Sequence, residues 1–222
     1  ERIDTMANIT AAMVQELRQI TGAGMMECKK ALAECDGDME KAKDYLRKKG
    51  LATASKKAGR IAAEGMVHAY IHGGGRIGVL LEVNIETDFA ARTDDFKDLV
   101  HQIALHIAAF SPQYVRREEV PPEVIAHERE IYIEQLRNEG KPDKVIEKIV
   151  EGKINKFYSE VCLMDQPFAF DTKITITDMV NNVTAKIGEK ISVRRFVRWE
   201  LGEGLEKRVY DLAKDVASEM NK

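Results

Sequence analysis

Between residues 66 and 83, apolar and polar side chains alternate on both sides of three consecutive glycines, and this pattern narrows the available folds more than any other. Val67, Ala69 and Ile71 alternate with more polar neighbours. Gly73, Gly74 and Gly75 supply a turn where positive φ is cheap, and Ile77, Val79, Leu81 and Val83 return along one face. The pattern predicts an antiparallel hairpin. A late strand is expected around Ile191, Val193, Phe196 and Trp199, where alternation is less strict. The remaining long patterned segments read as helix. A small sheet covered by many helices means α+β, not a doubly wound nucleotide-binding fold. So small a sheet can leave an apolar face or edge in want of another layer, which self-association could supply.

Ahead of the hairpin the periodicity is helical. Thr10 is a good N-cap for a helix carrying Met13, Val14, Leu17 and Ile20, stopped by Thr21-Gly22-Ala23-Gly24. A second helix begins near Met25 and presents Cys28, Ala31, Leu32 and Cys35 on one side. Asp38 caps a third with Met39, Ala42, Tyr45 and Leu46, expected to end near Lys49-Gly50. Helices this short are marginal alone, so their apolar faces must pack together. Met25 and Met26 are adjacent and cannot both point into one core, so at least one faces outward. It is either a partly covered surface methionine or a soft contact for a partner. Residues 47–60 then carry six basic residues and no acid, with no interleaved aromatics, which favours a solvated helical linker facing an acidic partner over a nucleic-acid contact.

Behind the hairpin, Phe96, Leu99, Val100, Ile103, Ile107 and Phe110 form a broad helical face starting from Asp94 or Asp95. Further helices follow Pro121-Pro122 and Pro142, with Gly152 expected to break the latter, and Thr177 or Asp178 is expected to cap one through Val180, Val183 and Ile187. The chain is expected to divide into a candidate expression remnant at 1–5, a three-helix partner-docking domain at 6–50, a basic helical linker at 51–64, an α+β core at 65–200 and a C-terminal helical module at 201–222.

Several chemistries lack their motifs. Gly22-Ala23-Gly24 has no Walker lysine and joins helices, and no helix follows Gly73-Gly74-Gly75, so no nucleotide or other cofactor site is expected. No zinc-protease, zinc-deaminase or serine-hydrolase motif occurs. His68 and His72 share a strand face but lie about 13 Å apart, too far to chelate one metal directly, and His101 and His106 are not an i,i+4 pair. Three cysteines form no CxxC pair, and Cys28 and Cys35, seven apart on one helical face, read as small buried hydrophobes. A formal charge of −3 argues against a dedicated DNA binder. No run reaches the roughly 20 apolar residues of a membrane span, and no signal peptide is visible, so a cytoplasmic location is expected.

One segment asks for a function: Asn84-Ile85-Glu86-Thr87-Asp88-Phe89-Ala90-Ala91-Arg92, which leaves a strand and precedes a helix. Phe89 is its only large aromatic and stands beside an acid. Either Phe89 tucks beneath the hairpin with Asp88 capping a local turn, or the pair projects as a wedge with a charge beside it. A carboxylate near a metal or phosphate pocket alters that pocket's electrostatics.

Together with residues 17–32 (LRQITGAGMMECKKAL), residues 82–92 (EVNIETDFAAR) and the supporting runs KKA at 56–58, RIAAEG at 60–65 and VRRF at 193–196, this segment resembles the elongation factor Ts family, in order from Met6 to Lys222. The resemblance implies a ubiquitin-associated-like three-helix domain, then a helical core with a small antiparallel sheet. It implies a guanine-nucleotide exchange factor that binds translation elongation factor Tu, chiefly its nucleotide-binding domain, and accelerates GDP release without covalent chemistry. Leu17, Met25 and Met26 match positions that touch the GTPase, Asp88 and Phe89 match the pair that approaches its nucleotide and magnesium region, and Thr87 and Arg92 flank that pair as expected partner contacts. Ile85 and Ala90 depart from the family's usual Cys and Val. The chain looks like a short form, without a long coiled-coil insertion or second core subdomain, and a homodimer through the sheet is expected.

Overall fold

The computed structural model describes residues 9–206. The candidate remnant at 1–5 lies outside these residues. Of the expected C-terminal module only 201–206 are described, and they form turns and a bend. The fold is α+β: helices first, then a helical core around a small antiparallel sheet.

α1 (Ala11–Thr21) starts where the Thr10 side chain accepts a hydrogen bond from the Met13 N–H, and α2 (Met25–Glu34) follows the glycine turn. α3 (Met39–Lys57) is capped by Asp38, which accepts from the Glu40 and Lys41 N–H groups. Val14, Leu17, Cys28, Ala31, Leu32 and Ala42 close a private core among them. The end expected at Gly50 does not occur. Gly50 is buried where α3 crosses α8 (Ile176–Ile187), and a Cβ there would lie 3.6 Å from Asn182 Oδ1 and 3.9 Å from the Ala185 Cβ. The missing side chain admits a neighbouring helix, and that packing outweighs the roughly 1 kcal/mol propensity cost of a helical glycine. Arg47 of α3 adds two hydrogen bonds of 2.9 and 3.2 Å to the carboxylate of Asp178 on α8.

β1 (Glu64–His72) and β2 (Ile77–Ile85) form the expected hairpin, and β5 (Ile191–Glu200) pairs antiparallel with β2, giving the order β1-β2-β5. Val79, Leu81, Val83 and Ile85 turn inward onto α5 (Asp94–Phe110), whose Phe96, Val100, Ile103 and Ile107 are fully buried. Phe110, expected on that face, is half exposed instead, at the last helical residue before Ser111. On the outer face the register aligns Ile71, Gly78 and Trp199 in one row and Ala69, Leu80 and Val197 in the next. Val67, Ile71, Leu80, Val197 and Trp199 are all exposed there.

Beyond α5, α6 (Pro122–Asn138) packs on α7 (Asp143–Val161) through Leu136, Ile146, Val150 and Ile154. Gly152 does not break α7; it sits on the exposed side while the apolar stripe holds the helix together. A short β3–β4 pair (Pro167–Phe168, Asp171–Thr175) was not legible in the sequence. It delivers Thr175, rather than Thr177 or Asp178, as the N-cap of α8, with Asp178 closing a capping box.

His106 is fully buried on α5. Its Nε2 donates to Gln166 Oε1 at 2.8 Å, the tautomer required because the Gln166 amide donates to the Glu160 carbonyl. Burial lowers its pKa below the ordinary 6.5, an effect opposed by the Gln166 contact. The unfolded chain therefore binds a proton near pH 6.5 that the folded chain refuses, so stability is lost as pH falls below that value. The expected loss is up to about 1.4 kcal/mol per pH unit until the folded pKa is reached. Urea unfolding at pH 7.5 and 5.5 should show a larger acid loss for the native chain than for His106→Leu; equal losses would reject His106 as the source.

Candidate functional site

β2 ends at the fully buried Ile85, and the next residues are fastened across the chain. Glu86 Oε1 accepts the Lys190 N–H at 2.6 Å, and its carboxylate also receives Arg60 at 3.2 Å. The Lys190 amide, with Arg60 assisting, holds the Glu86 carboxyl below the usual carboxylate range. Thr87 donates twice to Glu189, from its N–H at 3.0 Å and its hydroxyl at 2.8 Å. Its hydroxyl oxygen meanwhile caps the single turn α4 (Asp88–Ala91) by accepting from the Ala90 N–H at 3.3 Å. Glu86 and Thr87 are thus bolted to the turn that opens β5.

One helical turn on this seat sorts its side chains. Ala90 is buried beneath it, while Phe89 points away and is 79% exposed. Of the two arrangements open from sequence, Phe89 projects instead of tucking under the hairpin. Asp88 is the first residue of the turn, not its cap, and its carboxylate accepts from Arg92 Nη2 at 2.9 Å. Thr93 closes the segment by donating to the Ala90 carbonyl at 2.7 Å while capping α5. An aromatic ring therefore stands in water beside a carboxylate–guanidinium pair, on backbone held from both ends. Burying such a ring would be worth about 1.5–3 kcal/mol.

The second expected face lies on the helical module. Met25 is 52% and Met26 75% exposed after the Gly22–Gly24 turn, so both methionines project. Leu17 does not join them: at 0% exposed it lies in the three-helix core, because its position in α1 faces α2 and α3. The chain on its own therefore does not expose the Leu17 side chain beside Met25 and Met26. Ile20, assigned to the core stripe from its spacing, is half exposed instead. Its place in the last turn of α1 was the available signal. Glu189, which anchors Thr87, was missed altogether and has no local signature.

Other groups fit less well with chemistry at this site. Arg194 and Arg195 both bond to Glu82 of the neighbouring strand, at 2.7 and 2.6 Å, and Arg198 bonds to Glu200 and the Ala108 carbonyl. Cys28 and Cys162 are buried, and desolvation, with Asp165 adding, pushes the Cys162 thiol up to about 11. Among the described residues no group of three or more metal-ligating side chains converges, and no helix is long and apolar enough to cross a membrane.

Comparison with known proteins gives a consistent result. The sequence model of the family described as Elongation factor TS matches residues 7–203. Elongation factor Ts of Heliobacterium modesticaldum is 63% identical over 214 residues, covering 96% of this chain and all of that protein. The protein of the same name from Desulforamulus reducens is 62% identical, covering 97% and 99%. That from Moorella thermoacetica is 64% identical, covering 89% and 97%.

Proposed function

Since the chain belongs to the elongation factor Ts family, we propose that it is a guanine-nucleotide exchange factor for translation elongation factor Tu that speeds GDP release by displacing elements around the partner's phosphate and magnesium site. The observation that carries this reading is Phe89, a large apolar ring left in water on an anchored turn, with Asp88 beside it. The ring supplies volume to separate packed side chains, and the carboxylate supplies charge near the partner's cation. Thr87 and Arg92 hold these two in place and are exposed for contact themselves.

The driving principle is linkage. A factor that binds nucleotide-free Tu more tightly than Tu bound to GDP must weaken GDP by the same factor. No catalytic acid or base is needed, and GTP refills the vacated site. Release of fluorescent GDP from Tu, followed with and without this protein, tests the proposal directly; an unchanged release rate would defeat it.

The three-helix segment at residues 6–50 serves in this reading as the docking domain, with Met25, Met26 and Ile20 as its contact face and Leu17 as the support beneath. Replacing Met25 and Met26 by Ala should weaken Tu binding by about tenfold or more, because two thioether side chains no longer bury apolar surface against the partner, with circular dichroism unchanged. Calorimetry showing native affinity would remove this face from the interface.

A homodimer is the second assembly we propose. The outer sheet face of Val67, Ile71, Leu80, Val197 and Trp199 is contiguous across three strands, and a second copy would bury it. Sedimentation equilibrium should then give twice the chain mass at micromolar concentration and the single mass for Trp199→Lys. A monomer at every concentration would refute it.

A further inference from the structure

We infer that Arg47 is a positioning residue for exchange: with Gly50 it clamps α3 to α8, so that the Met25–Met26 face and the Phe89 turn meet the partner as one rigid body. This role rests on the function proposed above, while the clamp itself is a property of the chain alone.

α3 belongs to both halves of the molecule. Its N-terminal half places Ala42 in the three-helix core, with Met39, Tyr45 and Leu46 packed against that core. Lys49 Nζ pairs with the Glu27 carboxylate in the first turn of α2, one residue after Met26. Two residues before Lys49, Arg47 reaches across to α8, its Nε and Nη2 donating to the two Asp178 carboxylate oxygens at 3.2 and 2.9 Å. Such a fork fixes direction as well as distance, which a lone ammonium would not. Asp178 is itself held: its side chain is 6% exposed, and its Oδ2 also accepts from the N–H and the hydroxyl of Thr175, both at 3.0 Å. Gly50 lies three residues after Arg47, on the same helix face, so the ion pair and the close helix crossing act on one seam.

Beyond that seam the same helix runs to the seat of Phe89. Lys57, its last residue, donates to the carbonyl of Gly188, the C-cap of α8. The residues that follow, Glu189 and Lys190, hold Thr87 and Glu86. Lys190 Nζ returns a bond to the Arg60 carbonyl at 2.8 Å. One helix of 19 residues, about 28 Å long, therefore connects the methionine face at one end to the anchored turn at the other. A flexible joint at Gly50 would make the second contact form only at the effective concentration its tether allows, and would add an ordering cost that a preorganised body avoids.

Two measurements test this on the full chain. Amide nitrogen relaxation by NMR should give α1–α3 and the sheet one shared correlation time in the native protein. The three-helix amides should show a shorter one in Arg47→Met and in Gly50→Leu, which attacks the same seam sterically with a side chain that favours helix; circular dichroism should stay native in both. Independent tumbling in the native chain, or one shared time in both variants, would overturn the clamp. In GDP release from Tu, Arg47→Met should raise the factor concentration for half-maximal rate by about tenfold and leave the plateau native, because Phe89 and its Glu86–Thr87 seat are untouched. In a chain already carrying Met25→Ala and Met26→Ala, the same substitution should change that concentration by less than about twofold, since no methionine face remains to be aligned. A merely destabilising change would carry its full effect into that background. Equal tenfold effects in both backgrounds, or a native half-maximal concentration for Arg47→Met, would overturn the positioning role. No release by the native chain would defeat the exchange function instead, and the relaxation measurement would still decide the clamp.

Discussion

Phe89→Ala should bind Tu and yet fail to drive GDP release to the native maximal rate. Phe89 is mostly in solvent, so its removal leaves no cavity and the fold should melt at an unchanged temperature. On the proposed mechanism, what is lost is the volume that would force the partner's side chains apart. Coupling energies between linked sites are typically about 1–3 kcal/mol, so release at saturating factor should slow by about tenfold or more. Asp88→Asn keeps the size of its side chain and loses only charge and the Arg92 pair, so a smaller loss is expected. Stopped-flow release of fluorescent GDP at saturating concentrations separates coupling from affinity. A Phe89→Ala plateau equal to the native one would end the wedge interpretation, whatever happens to the apparent affinity.

The projecting ring shows how far residue patterns carry an interpretation. The strand before it was legible because β2 alternates over nine residues and one face is buried. The turn that carries Phe89 is four residues long, too short for any periodicity to tell an inward side chain from an outward one. What decides the matter is Ala90, small enough to sit on the core, and Glu189, which holds Thr87 from 102 residues away. Neither contact leaves a trace in local sequence. The same holds for the glycines. Gly50 and Gly152 carry the composition of a helix stop, but α3 continues because α8 needs the space at Gly50, and α7 continues because its packing on α6 outweighs one exposed glycine. The burial of Leu17 was legible from its helical stripe, and the structure places it in the three-helix core.

The largest stability effect is expected at the first residues of β1, where the turn's seat and the sheet share one glycine. Gly65 has φ +135°, a region that L side chains rarely adopt, and a Cβ there would stand 2.1 Å from the Val83 carbonyl oxygen and 2.8 Å from the Asn84 Cα. Both obstacles are backbone, so no rotamer change relieves them. Gly65→Ala must push β1 away from Asn84, its partner in the ladder, and loosen the bond from Asn84 Nδ2 to the Glu64 carbonyl. The expected cost is about 3 kcal/mol or more, or roughly 6–12 °C in melting temperature for a chain of this size. Gly74→Ala is the matching control: its φ of +65° is left-handed too, but nothing lies within 4 Å of the added carbon, so only the conformational cost of about 1–2 kcal/mol applies. Equal melting temperatures for the two variants would show that the close approach at Gly65 is not what fixes the strand. If the ranking holds, Gly65→Ala should also lose exchange activity well below its melting temperature. The residues it displaces, Asn84 and then Ile85, lead directly into the Glu86–Thr87 anchor on which Phe89 stands, and on the proposed mechanism a wedge on a loosened seat would transmit less force to its partner.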